Sequence, residues 1–211
     1  MVSIIIPVFN VEKYVEKSIL SCLNQIYKNV EIILIYDGST DNSLKIIQKF
    51  KSNEKVKIIS KKNGVVSSAR NLGLKKCHGK FIYFIDSDDR IDKNAISELV
   101  KKIGNYSLVV CEYSKVDNNK LVYVKYNLDH DVTKKEFYSN ILSEDKFGGY
   151  LWNKLYNAKV LKDSDDNWIF FDEKVKIMED MLYNFKISSN IDNVKVVSCH
   201  YIFTICAVTV Q

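Results

Sequence analysis

An apolar run ends abruptly at Phe84-Ile85-Asp86-Ser87-Asp88-Asp89, which places three carboxylates within four residues. Alternate carboxylates at a strand end can share a hard cation, and Mg²⁺ or Mn²⁺ already carrying phosphate oxygens suits that arrangement. Taken alone, the same acids read as a solvated turn capping a helix that starts near Asp92. A second apolar run ends in Tyr36-Asp37-Gly38-Ser39-Thr40-Asp41. Gly38 permits a tight turn there and Asp41 is placed to cap the next helix, which leaves Asp37 to accept from a base or ribose. The first run ends in Pro7-Val8-Phe9-Asn10, an aromatic face beside an amide. Lys62, Asn63 and Arg70 lie where a further helix opens, and its backbone amides form a natural anion site. Glu179 and Asp180 open a later helix, either as partners of its dipole or as catalytic carboxylates. Trp152-Asn153-Lys154 joins a stacking surface to a donor and a charge, suited to a sugar or equally to an internal interface. His200 sits in an apolar run, where a lone histidine is ordinarily a packed residue.

Such residues act together only if their strand ends lie side by side. Residues 2–9, 30–36, 56–60 and 81–85 are β-branched or wholly apolar runs, and helical spacing occupies residues 11–25, 40–50 and 67–76 between them. Strands that are apolar throughout, with helices between, predict an α/β fold whose mostly parallel sheet is covered on both faces. In such sheets ligands bind outside the carboxyl ends of the strands, where Asn10, Asp37 and Asp86 fall. From about residue 105 the pattern changes. Residues 107–116 and 120–126 flank Asp117-Asn118-Asn119 as a predicted hairpin. Helices are expected over 134–142 and 177–188, a polar loop over 163–167, and one or two strands over 194–210. Residues 1–104 read as the nucleotide-binding half, and 105–211 as the half that shapes the acceptor and carries the base.

Composition narrows the classes. With 211 residues, 46% hydrophobic and 27% charged, the chain can bury a core, which excludes wholesale disorder. A net charge of +5 with 26 acids interspersed argues against a nucleic-acid binder and for phosphates or an anionic membrane surface. Five widely spaced cysteines without a CxxC pair argue against a disulfide framework or a structural zinc site, and for reduced thiols in the cytoplasm. No secretory signal and no run of roughly 18 apolar residues is visible. Without GxxxxGK[ST] or GxGxxG, P-loop and dinucleotide dehydrogenase readings fall away.

In order, SIIIPVFN at 3–10, YDGSTDNS at 36–43, NGVVSSARNLGL at 63–74, FIDSDD at 84–89, WNKLY at 152–156 and MED at 178–180 resemble family 2 of the inverting glycosyltransferases. The resemblance covers nearly the whole chain and implies a GT-A fold and a sugar transferase of surface-polysaccharide type. It implies that Pro7, Phe9, Asn10 and Asp37 hold the base and ribose of a UDP-sugar. Asp86, with Ser87 beside it, would contact the ribose or sugar, and Asn63 and Arg70 the donor. Asp88 would ligate Mn²⁺ or Mg²⁺, joined by His200, and Asp180 would be the general base beside Glu179. Trp152, Asn153 and Lys154 would face the acceptor, a glycan or lipid-linked hydroxyl. Peripheral contact with the inner membrane face and a homodimer are compatible with this reading. Val65 replaces the second glycine usual in the NGG motif, and no Lys or Arg follows Lys195. The rival reading is a non-catalytic subunit that binds a nucleotide or glycan beside another transferase.

Overall fold

The computed structural model describes residues 1–117, 120–124, 131–143, 146–197 and 202–205. Its first elements alternate: β1 (Val2–Val8), α1 (Val15–Leu23), β2 (Val30–Tyr36), α2 (Ser43–Gln48), β3 (Val56–Ser60), α3 (Val66–Lys76) and β4 (Phe81–Phe84). Then follow β5 (Arg90–Ile91), α4 (Ala95–Ile103), β6 (Leu108–Cys111), β7 (Tyr113–Asp117), β8 (Lys120–Val124), β9 (Asp131–Thr133) and α5 (Lys134–Ile141). The last elements are β10 (Lys154–Asn157), α6 (Glu179–Ile187), β11 (Asn193–Val197) and β12 (Ile202–Ile205). No helix among the described residues is long and apolar enough to cross a membrane.

One eight-stranded sheet runs β3-β2-β1-β4-β10-β6-β11-β9, and a four-stranded sheet runs β5-β12-β7-β8. The ladders among β3, β2, β1 and β4 are parallel, while β10 is antiparallel to both β4 and β6. Ile4, Ile5, Ile6, Ile32, Ile33 and Leu34 are fully buried, as strands covered on both faces require. Because β1, β2, β3 and β4 point the same way, the residues that follow them open onto one edge of the sheet.

Several predicted elements shift. Residues 107–116 are not one strand. The apolar Leu108–Cys111 run lies inside the large sheet, and the more polar Tyr113–Asp117 run leaves at Glu112 for the second sheet. Continuous apolarity suits a strand buried on both faces. The polar residues Asn153 and Lys154 hid β10, which wedges between β4 and β6. The first helix starts at Val15 because Val11–Tyr14 forms a turn, closed by Tyr14 N donating to Val11 O at 2.9 Å. The helix expected near Asp92 begins at Ala95, where Gln25 Oε1 accepts from Ile96 N at 3.0 Å. The turn residues Asn118 and Asn119, and His200, lie outside the described residues.

Helix α3 carries Arg70 and rests directly on β1. A Cβ on Gly73 would lie 2.4 Å from Ile5 Cγ2, so only glycine allows this approach. In an open helix Gly→Ala is stabilising by roughly 0.5–1 kcal/mol. Here overpacking wins, and Gly73→Ala is expected to destabilise by about 1–3 kcal/mol, measured as a lower urea midpoint at unchanged m-value.

Candidate functional site

The loops after β1 and β2 are locked together by their own side chains. Asn10 adopts φ 51°, a left-handed conformation that asparagine tolerates. Its Oδ1 accepts from Thr40 N at 2.8 Å, and its backbone N–H donates to Ser39 Oγ at 3.1 Å. Asp41 accepts from Glu12 N and Ser43 N, both at 2.9 Å, so it braces both loops as well as the start of α2. Gly38, at φ 69°, lets the chain double back, and Asn63 Nδ2 donates to Asp37 O at 2.9 Å. Asn10 and Asn63, expected as nucleotide contacts, thus hold the framework around the cleft.

Between these loops lies a cleft of about 200 Å³ lined by Pro7, Phe9, Asp37, Asp86, Ser87 and Asp88, among others. Phe9 is 46% exposed, an open aromatic face in a position to stack. The Asp37 carboxylate is buried and accepts from Lys61 Nζ at 2.5 Å. Lys61 was missed in the sequence, where a lysine after a strand carries no signal of its own. Asp86 and Asp88 reach the cleft, whereas Asp89 turns inward and is buried. Burial and the charge of Asp86 raise the Asp88 carboxyl above its ordinary value. Asp86 is itself paired to Arg70, and among the described residues no group of three or more acid, histidine or cysteine side chains is placed to hold a metal ion.

Arg70 joins this cleft to α6. Its Nη2 donates to Asp86 Oδ1 at 3.0 Å, while Nη1 donates to Glu179 Oε1 at 2.9 Å and Asp180 Oδ1 at 2.5 Å. The guanidinium lies 5.6 Å from the centre of the Phe171 ring, and its Nε has no partner among the described residues. Burial would weaken the Arg70 charge, but Asp180, Asp86 and Glu179 more than restore it. Asp180 goes the other way. Burial pushes its carboxyl up, Arg70 opposes this, and Asp86 and Glu179 add to it.

A second pocket of about 230 Å³ opens beside Asp180, walled by Gly148, Gly149 and Tyr150 on one side and Met178, Asp180 and Met181 on the other. Met178 has φ 60°, uncommon for a long side chain, and it sets the angle at which α6 begins. Trp152, Asn153 and Lys154 do not face this pocket as expected. All three are buried behind its wall, because β10 inserts into the sheet and carries them inward. His200 lies outside the described residues.

The sequence profile described as "Glycosyl transferase family 2" matches residues 3–188. The chain is 31% identical over 202 residues to the uncharacterized glycosyltransferase EpsJ of Bacillus subtilis strain 168, covering 92% of this chain and 58% of that protein. It is 32% identical over 202 residues to the poly(ribitol-phosphate) beta-N-acetylglucosaminyltransferase TarP of Staphylococcus aureus strain N315, covering 91% and 58%. The crystal structure of S. aureus TarS 1-349 in complex with UDP superposes with a TM-score of 0.82 at 26% identity, covering 97% of this chain and 60% of that one. The architecture is the GT-A fold, and the chain belongs to glycosyl transferase family 2. It spans about three-fifths of the length of these relatives.

Removing the Arg70 charge leaves three carboxylates without a buried partner. Arg70→Met is expected to cost about 3–5 kcal/mol near neutral pH. The Asp180 carboxyl, already raised by burial, loses the one charge that opposes the rise and moves further above its unfolded value. Stability is then greatest below that unfolded value and lost as pH rises. The deficit against wild type, from urea melts, should therefore be larger at about pH 8 than at about pH 5.

Proposed function

We propose that this chain transfers a sugar from a UDP-sugar, with inversion, to a hydroxyl of a glycan or lipid-linked acceptor in surface polysaccharide synthesis. The observation that carries the reading is the Arg70 bridge, which holds the cleft acid Asp86, Glu179 and the Asp180 carboxylate on one cation. Support for the donor comes from TarS, whose crystal structures hold UDP and UDP-GlcNAc. Action at the cytoplasmic face of the membrane is part of the same proposal.

In this reading Phe9 stacks on the base and Asp37, oriented by Lys61, accepts from the base or ribose. Asp86 and Ser87 face the ribose or sugar. Asp88, joined by His200, would hold a divalent cation, Mn²⁺ or Mg²⁺, which when bound offsets charge on the departing diphosphate. Asp180 takes the proton of the acceptor hydroxyl as the oxygen attacks the anomeric carbon opposite the leaving group, so one displacement inverts the centre. Glu179 shares Arg70 with it and keeps the guanidinium from neutralising Asp180 alone. Ile141, Met178 and Met181 also line the pocket beside Asp180, side chains suited to the C–H face of a sugar.

Isothermal titration with UDP, with and without Mn²⁺, tests the donor site. Metal-dependent binding that Asp88→Ala abolishes is the expected result, and equal affinity in wild type and variant would remove Asp88 as a ligand. Binding with no turnover on any UDP-sugar would favour the non-catalytic subunit.

Asp180→Asn should keep UDP affinity and reduce transfer by about 10²–10⁴-fold, the usual worth of a general base. Because burial raises the Asp180 carboxyl and the base must be ionised, kcat/KM is expected to fall toward acid with a midpoint well above roughly 3.9. An acid limb at the ordinary carboxylate value, from a pH series of UDP release, would place the base elsewhere.

A further inference from the structure

Lys154 is fully buried beneath the wall of the pocket at Asp180. Its Nζ donates to Gly148 O at 2.9 Å, Tyr150 O at 2.5 Å and Asn153 Oδ1 at 2.8 Å, and lies 5.4 Å from the centre of the Phe147 ring. Three acceptors match the three N–H groups of an ammonium, whereas a neutral amine has only two. Asn153 Nδ2 donates to Phe147 O at 2.9 Å. From the other side, Asn184 on α6 donates to Gly149 O at 2.7 Å and to Asp180 O at 3.0 Å, while its Oδ1 accepts from Tyr156 OH at 2.9 Å. Each carbonyl from Phe147 to Tyr150 therefore receives a buried side-chain donor. Asn184 ties that wall to the backbone of Asp180 itself.

Stability alone does not account for a lysine here. No carboxylate among the described residues lies within ion-pair distance of its Nζ, and a buried charge costs several kcal/mol that a methionine of similar shape would not. The titratable groups facing it are Asp180 on α6 and the Cys111 thiol on β6. What the lysine contributes is direction, since one ammonium fixes two carbonyls of a loop that has no regular structure.

We propose that Lys154, together with Asn184, is a positioning residue that sets the Gly148–Tyr150 wall at a fixed place relative to the Asp180 carboxylate, so that an acceptor seated on the wall presents its hydroxyl to the base. The role rests on Asp180 being the base, but the geometry it predicts does not. Burial lowers Lys154 to about 7, against the pull of Asp180 and Cys111. Above that pH the folded chain sheds a proton that the unfolded chain keeps up to roughly 10.4, so global stability rises across this window. The wall does the opposite. With one N–H gone, one of its acceptors loses a donor and the wall loosens.

Hydrogen–deuterium exchange, corrected for intrinsic rates, separates these effects. Peptides covering 147–151 and 178–182 are compared with reference strands 2–8 and 30–36 in wild type, Lys154→Met and Lys154→Gln. In wild type the wall is expected to lose protection by at least about tenfold between roughly pH 6 and pH 9 while the references hold. Lys154→Met should show an unprotected wall with no pH response, extending to 178–182, and an unchanged affinity for UDP with Mn²⁺. A wall equally protected in the variants, or a wild-type wall indifferent to pH, would overturn the proposal. Loss of protection spread evenly over the reference strands would mark an ordinary core residue and overturn it too. The wild-type series needs no variant to fold. Absence of UDP binding in wild type would sink the donor reading instead, and the exchange result would still decide this one.

Discussion

One guanidinium answers to three carboxylates drawn from distant parts of the chain. Arg70 holds Asp86, 16 residues away, together with Glu179 and Asp180, about 110 residues away. A single positive charge among three acids leaves the cluster with an excess of negative charge that water only partly reaches. Two things relieve it: a proton on one of the acids, or a cation brought from outside. The raised Asp180 carboxyl is the first of these, and a divalent ion at the neighbouring Asp88 would be the second. The site is therefore electrostatically incomplete by construction.

The rest of the fold keeps that guanidinium where it is. Gly73 lets α3 lie against Ile5, and the next residue after Arg70 does the remainder. Asn71 Oδ1 accepts from Phe171 N at 2.8 Å, and its Nδ2 donates to Phe171 O at 3.1 Å and Glu173 Oε1 at 3.0 Å. Phe171 is thereby pinned beneath Arg70 and stacked on Tyr183, with ring centroids 3.7 Å apart. Adjacent residues of one helix turn thus grip the acids of α6 and the segment that leads into α6. Losing either grip would misplace both.

How much of this was legible in the sequence depends on how local each feature is. The strands at 30–36 and 56–60 were readable to the residue, because each is a short run dominated by Val, Ile and Leu. The carboxylates at strand ends were readable too, since topology alone brings such ends to one edge. Asn153 and Lys154 misled. Their polarity pointed outward, yet the acceptors that satisfy them lie a few residues back, in a loop whose path no periodicity records. Lys61 and the Arg70 bridge were invisible as contacts because each joins residues whose separation in sequence says nothing of their meeting in space. Order and spacing of the motifs supplied the resemblance, but the partners came only from the fold.

Two long-range constraints finally converge at Met178. Acids in the first turn of a helix normally gain from its dipole and stay ionised. At α6 burial overrides that gain for Asp180. The left-handed turn at Met178 immediately precedes the two acids that pair with Arg70. Such a conformation costs a long side chain on the order of 1–2 kcal/mol. It persists because the ion pairs to Arg70 and the bond from Asn184 to Asp180 O hold the segment from both sides. Strain, a half-buried acid and a shared cation are thus parts of one arrangement.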